Sequence, residues 1–223
     1  MGIPARRRRS LGRPRQRAGA DARERLLDAA LLLFAEQGIA ATTVAAIASR
    51  AGVTSAMVHY YFKDRDRLLD AVAEERLLQA VTGVWMPVLE TEALVPMVRG
   101  LVQRIVAATE RHPWLPSLWL REIVSEGGQL RDRLMKILPF EAVRHLIGAV
   151  AAAQRRGDTD PDLDPRLVVL SVIGLTLLPL ATLRLWQVLP FLQGVSREQV
   201  ARHAEALLVS AFSTAPRRRA KPA

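Results

Sequence analysis

The sequence predicts an all-α protein, an N-terminal three-helix helix-turn-helix unit joined to a larger helical domain, about nine helices in all. Three observations carry that expectation. Apolar residues recur at helical spacing, strand-type alternation is hard to find, and Leu, Ala, Arg, Glu and Gln dominate. Two short helical patterns meet at Gly52, inside the stretch Thr42 to Leu69. The most apolar run, Leu167 to Leu183, has seventeen residues without a charge and contains Pro179. A membrane span needs about twenty such residues, so the run reads as a helix buried on two sides. With 223 residues, half of them hydrophobic, the chain can build one or two modest domains with a real core.

Residues 1–20 read as a disordered basic arm. Residues 1–25 hold nine Arg against Asp21 and Glu24, a net of +7, and the tail 214–223 adds +4. The formal total is +10, so the body between the two ends is nearly neutral. Basic ends of this kind suit a polyanion. Gly12-Arg13-Pro14-Arg15 resembles the core of an AT-hook, in which Arg13 and Arg15 would enter a narrow A·T-rich minor groove. A plain phosphate-attracting tail accounts for the same residues equally well. No apolar run follows Arg6 to Arg9, so the N-terminus is not read as a secretory signal.

From Asp21 to about Gln37 the first helix presents Leu26, Leu27, Ala30, Leu31, Leu33 and Phe34 on one face, and Gly38 ends it. Val44, Ile47, Ala48 and Ala51 form the apolar face of the second, with Thr43 placed to cap it and Gly52 closing it. Thr54 is a cap candidate for the third, which begins at Ser55. Its apolar Met57, Val58, Tyr61 and Phe62 mix with Ser55, Ala56, His59 and Tyr60. Two helices joined by a tight glycine turn make a helix-turn-helix, spanning 21–64 with the first helix, whose last helix can enter a major groove. Ala56 is small enough to let backbone approach DNA, and Lys63, Arg65 and Arg67 follow where phosphates would lie. A longer fourth helix, Arg65 to about Trp85, opens the domain 65–213 with Leu68, Leu69, Val72, Leu77, Leu78 and Val81 inward. Five helices follow, near 92–111, 115–126, 129–156 with a kink at Pro139, 165–189 and 196–213, separated by Pro- and Gly-bearing breaks. The segment 214–223 reads as a disordered basic tail.

The string from Thr42 to Leu69, with its Thr-Thr-Val opening, Ile-Ala and Ala-Gly-Val, and Tyr-Tyr-Phe-Lys before Leu-Leu, resembles the DNA-binding signature of the TetR/AcrR family of bacterial regulators. The likeness reaches upstream through Arg25 to Gly38, about the first third of the chain. It implies a double-stranded operator as partner, with Thr43, Thr54, His59, Tyr60 and Lys63 on phosphates and Ser55, Ala56 and Met57 near base edges. Ser55, Ala56, Met57 and His59 stand where the family more often has Lys, Gly, a small residue or Thr, and Tyr. The likeness therefore transfers the function class, not the base preference. It also implies a cytoplasmic homodimer through 165–189 and 196–213, and a small-molecule effector held between the middle helices.

Aromatic residues and methionines cluster between Trp85 and Phe140, most of them in positions that suit ordinary core. Trp114, Trp119 and Phe140 are the candidates for lining an effector pocket, with Arg121 or Glu122 supplying polarity. The chain has no cysteine, hence no disulfide and no thiolate nucleophile or metal ligand. No Ser/His/Asp order and no phosphate-cradling glycine loop is recognisable, so no catalytic residue, cofactor or metal is expected. Glu141 and His145 read as a solvated helix pair, and Asp158 to Asp164 as a surface loop without the ligand order of an EF-hand. Two other classes remain to be set against the regulator: a helical scaffold using its basic ends on anionic membranes, and an all-α enzyme.

Overall fold

The computed structural model of the chain describes residues 15–213, which form helices joined by short turns with no strand among them. Helix α1 (Arg15–Gln37) starts six residues before the expected Asp21, so residues 15–20 are helical and not part of a disordered arm. Arg15, Gln16, Arg17, Ala18 and Ala20 are good helix formers, and an established helix propagates into them at little cost. Leu26, Leu27, Ala30 and Phe34 are fully buried, and Gly38, at φ +86°, ends the helix.

Helix α2 (Val44–Ala51) is capped by Thr43, whose Oγ1 accepts the Ala46 N–H at 3.1 Å. Its far end closes through Gly52 in the left-handed region, with the Val53 N–H reaching the Ala48 carbonyl at 3.0 Å. Helix α3 (Ser55–Phe62) follows, buried only through Val58 and Phe62. Arg25 of α1 donates to the Ala51 carbonyl at 3.1 Å, satisfying an acceptor that the end of α2 leaves open.

Helix α4 (Arg65–Val72), capped by Asp64, runs without a break through a π-helical turn (Ala73–Leu77) into α5 (Leu78–Trp85). A short 3₁₀ turn (Met86–Val88) holding Pro87 ends this rod. The π turn adds a residue to the register, so the inward face rotates. Leu77 is buried, but Leu78, expected inward, is exposed, and Ala80 and Val84 take up the face after it.

The body continues with α6 (Leu94–Arg111), α7 (Leu115–Trp119), a second π turn (Leu120–Val124), α8 (Arg131–Ile137), α9 (Phe140–Arg156), α10 (Pro165–Ala181), α11 (Leu183–Trp186) and α12 (Arg197–Ser213). The kinked helix expected over 129–156 is two helices. Leu138, at ψ 127°, leaves the α region because Pro139 crowds it there. The helix expected over 165–189 ends at Ala181 instead, where Thr182 turns its hydroxyl back to the Leu178 carbonyl at 2.7 Å. Twelve α-helical segments thus stand among the described residues where about nine were expected.

Helix α6 packs on α10 and α12, α9 on α10, and α1 on α2 and α7. One hydrophobic cluster runs from Leu26 of α1 to Phe212 of α12, so packing does not break at the expected boundary between 64 and 65. Helix α10 buries Val168, Val172 and Leu177 against this core, while Leu167, Leu170 and Leu178 remain exposed on its other face. No helix among the described residues is long and apolar enough to cross a membrane.

Candidate DNA-binding face and effector cavities

Helix α3 divides sharply into two sides. Val58 and Phe62 pack inward, and the Arg23 guanidinium covers the Phe62 ring at 5.3 Å. Thr54, Ser55, Ala56, His59, Tyr60 and Lys63 are all exposed, Tyr60 by 80%, and Met57 is half-buried. Thr43 adds an exposed residue at the start of α2. Thr54 occupies the N-cap position of α3 but makes no side-chain cap bond, unlike the capping expected of it. Its hydroxyl is left for another partner. Arg13 lies outside the described residues, and Arg15 is already helical, where a minor-groove segment would be extended.

Lys63 is set by an unusual backbone. At φ 63°, ψ −59° it is the one non-glycine residue with positive φ among those described, and the Asp64 N–H reaches the Phe62 carbonyl across it at 2.7 Å. This is the strained form of the γ-turn. The His59 ring meets the Lys63 carbonyl at 3.1 Å, so the turn tethers both residues at one end of the exposed face.

The face is held by charged staples. Glu36 of α1 pairs with both guanidinium nitrogens of Arg50 of α2, at 2.9 and 2.7 Å, and the Arg50 bonds hold the carboxyl below its ordinary range. Arg65 of α4 donates to the carbonyls of Thr42, at 2.8 Å, and Ile39, fastening the turn between α1 and α2. Arg23 makes a two-pronged pair with Glu75 at 2.7 and 2.5 Å, while Arg76 reaches Glu24 and Asp28 at 2.7 and 2.9 Å. Arg133 of α8 ties the body to Asp70 of α4 at 2.8 Å.

The expected pocket residues separate. Trp114 and Arg121 line a cavity of about 640 Å³ between the second half of α1 and the body. Trp119 belongs to a small apolar cavity of about 50 Å³ with Val84, Ile105 and Leu177. Phe140 is exposed at the start of α9 and lines neither, because Pro139 turns the chain outward before it. Glu122 is not a pocket group either. It is 6% exposed, and its Oε1 and Oε2 accept the Ile39 N–H at 2.8 Å and the Gln129 N–H at 3.1 Å. A carboxylate consumed by one buried and one part-buried amide has an architectural role, holding the α1–α2 turn to the body. The large cavity's other guanidinium, Arg197 at the start of α12, carried no local signal; it meets the cavity only because α12 packs back on α6.

Residues 26–72 match the family profile described as "Bacterial regulatory proteins, tetR family". The chain is similar to the HTH-type transcriptional regulator AcrR of Shigella flexneri, 34% identical over 64 residues, which cover 29% of this chain and 30% of AcrR. The chain therefore spans less than a third of that relative's length in the match. Among solved structures, the ketosteroid transcriptional regulator KstR2 of Mycobacterium tuberculosis superposes with a TM-score of 0.68 at 22% identity, covering 86% of this chain and 95% of KstR2. The regulator FadR from Bacillus subtilis, in complex with stearoyl-CoA, gives 0.63 at 20% identity, covering 85% and 98%. These two likenesses establish the fold. A helix-turn-helix built from the residues of the family's DNA-binding signature, on the family's helical body, makes this chain a member of the TetR family of bacterial regulatory proteins.

Proposed function

We propose that the chain is a transcriptional regulator, working in the cytoplasm as a homodimer that binds a palindromic operator and represses until a small molecule releases it. The observation that carries this reading is the two-sided character of α3, which spends Val58 and Phe62 on the core and offers its polar residues outward. Thr43, Thr54, His59, Tyr60 and Lys63 take phosphates. Ser55, Ala56 and Met57 approach base edges, where Met57 offers only apolar contact, for instance to a thymine methyl.

Dimerisation is supported by the exposed stripe Leu167, Leu170, Gly174 and Leu178 on α10, beside exposed Ala206 and Leu207 on α12. A two-fold pair then sets two copies of α3 on half-sites about 34–36 Å apart. Release follows when a ligand binds better to a body shape with the heads splayed. The continuous rod from Asp64 to Trp85 connects the two parts. Selection of duplexes from a random DNA pool, at near-physiological salt with competitor DNA, tests the reading. A palindrome with two half-sites is expected. Recovery of A·T-rich DNA without symmetry would move the binding to the basic arm, and vesicle binding without preference among duplexes would favour the membrane scaffold.

A further inference from the structure

The 640 Å³ cavity at the head–body junction has an unbalanced charge. Its apolar wall comes from Leu32 of α1 and from Trp114, Pro116 and Leu180 of the body. Three charged side chains line it: Glu36, Arg121 and Arg197. The single carboxylate is already neutralised by the two-pronged Arg50 pair. Neither arginine makes a close ion pair among the described residues, although the Arg197 charge is felt by the neighbouring Glu198 carboxylate. Arg197 gives one N–H to the Thr109 hydroxyl at 3.0 Å, and Arg121 is exposed at the cavity wall with no such pair. A guanidinium presents five donors in a planar fork matched to an oxyanion, so most of that capacity is unspent. A pocket of this size, with polar and apolar walls in comparable shares, suits a small molecule that carries both a charged group and an apolar part.

We propose that this cavity is a binding site for an amphipathic acid, its carboxylate gripped by Arg121 and Arg197 and its hydrocarbon chain laid against Leu32, Trp114 and Leu180. The site sits where occupancy bears on DNA binding. One wall is α1, whose Glu36 holds Arg50 of α2, and the residue after Arg121 is Glu122, which holds the Ile39 N–H. Any ligand that fits this wedge better in one head orientation shifts the population toward it. The coupling rests on the regulator reading proposed above; the binding does not.

Calorimetric titration of the full chain with decanoate, and with decanol as the uncharged control, tests the site. Decanoate is expected to bind once per chain and at least tenfold more tightly than decanol. The double variant R121A/R197A is expected to erase that margin, and Ser117→Trp, which fills the cavity, to abolish binding of both. Equal affinities in the unaltered protein, a margin that survives R121A/R197A, or binding that survives Ser117→Trp would each overturn the proposal. On the duplex recovered by selection, decanoate is expected to change affinity at least threefold for the unaltered protein and not for R121A/R197A. Unchanged affinity would remove the coupling. A chain that binds decanoate but no duplex would sink the regulator reading and leave the site standing.

Discussion

Lys63 concentrates two separable properties in one side chain. Its charge stands at the end of the exposed α3 face, and its backbone carries the strain of a positive-φ γ-turn. Lys63→Ala removes the charge and keeps the strain, whereas Lys63→Gly removes both. Urea denaturation should therefore find Lys63→Gly more stable than Lys63→Ala by about 1 kcal/mol. Both should weaken DNA binding by the same factor on all sequences and lower the salt slope by about 1, since a lost phosphate contact carries no base information. Tyr60→Phe should weaken binding by about 1 kcal/mol without altering base preference. Unchanged salt slopes in the Lys63 variants would take that residue off the phosphate backbone. Sequence alone marked Lys63 as a cation past a helix, but the γ-turn depends on how α3 meets α4 and leaves no trace in composition.

Among the elements, α1, α2 and α6 were legible because each keeps one apolar face in a single period, closed by Gly38, Gly52 or His112-Pro113. The two π turns were not, since an inserted residue shifts the phase without changing residue types; Leu78 was misread for that reason. Glu122, beside Arg121, was legible only as a polar candidate for a pocket, and its role emerged only with Ile39, eighty-three residues away in sequence. Glu122→Ala leaves the buried Ile39 amide without an acceptor and the Gln129 amide to water, and should cost about 2 kcal/mol by urea denaturation; a loss under 1 kcal/mol would mean that water replaces the carboxylate at both. The Arg23–Glu75 pair joins α1 to the rod and has a pH signature. The Arg23 hydrogen bonds hold the Glu75 carboxyl below its ordinary value of 4.5, against the opposing effect of burial. The pair's contribution is thus complete above that value and lost as pH falls through the depressed folded-state value. Glu75→Gln should be less stable than the unaltered protein at pH 7, and the difference should shrink as pH is lowered below 4.5, as read from paired denaturation curves. A constant difference across that range would assign the effect to packing.

At the scale of the whole molecule, the core closes around α6 while α10 leaves an apolar stripe facing outward, with Leu170 63% and Leu178 53% exposed. Charges do not balance that exposure, because the net +10 lies mainly in the two ends and the body is nearly neutral. In a two-fold dimer each stripe residue meets the same patch on its partner, so a charge added to one copy confronts its own duplicate. If the proposed dimer forms through this stripe, the unaltered protein should sediment as a dimer and the double variant L170R/L178R, at the same concentration, as a monomer. Its unfolding should become independent of protein concentration, since mass action no longer stabilises it. Operator affinity should fall by about 10²–10⁴-fold, because the second half-site is no longer presented at high effective concentration. Binding to an isolated half-site should not change, as α3 is untouched. A variant that still sediments as a dimer would move the interface elsewhere. A monomer with undiminished operator affinity would show that one head, with the basic arm, suffices to read the site.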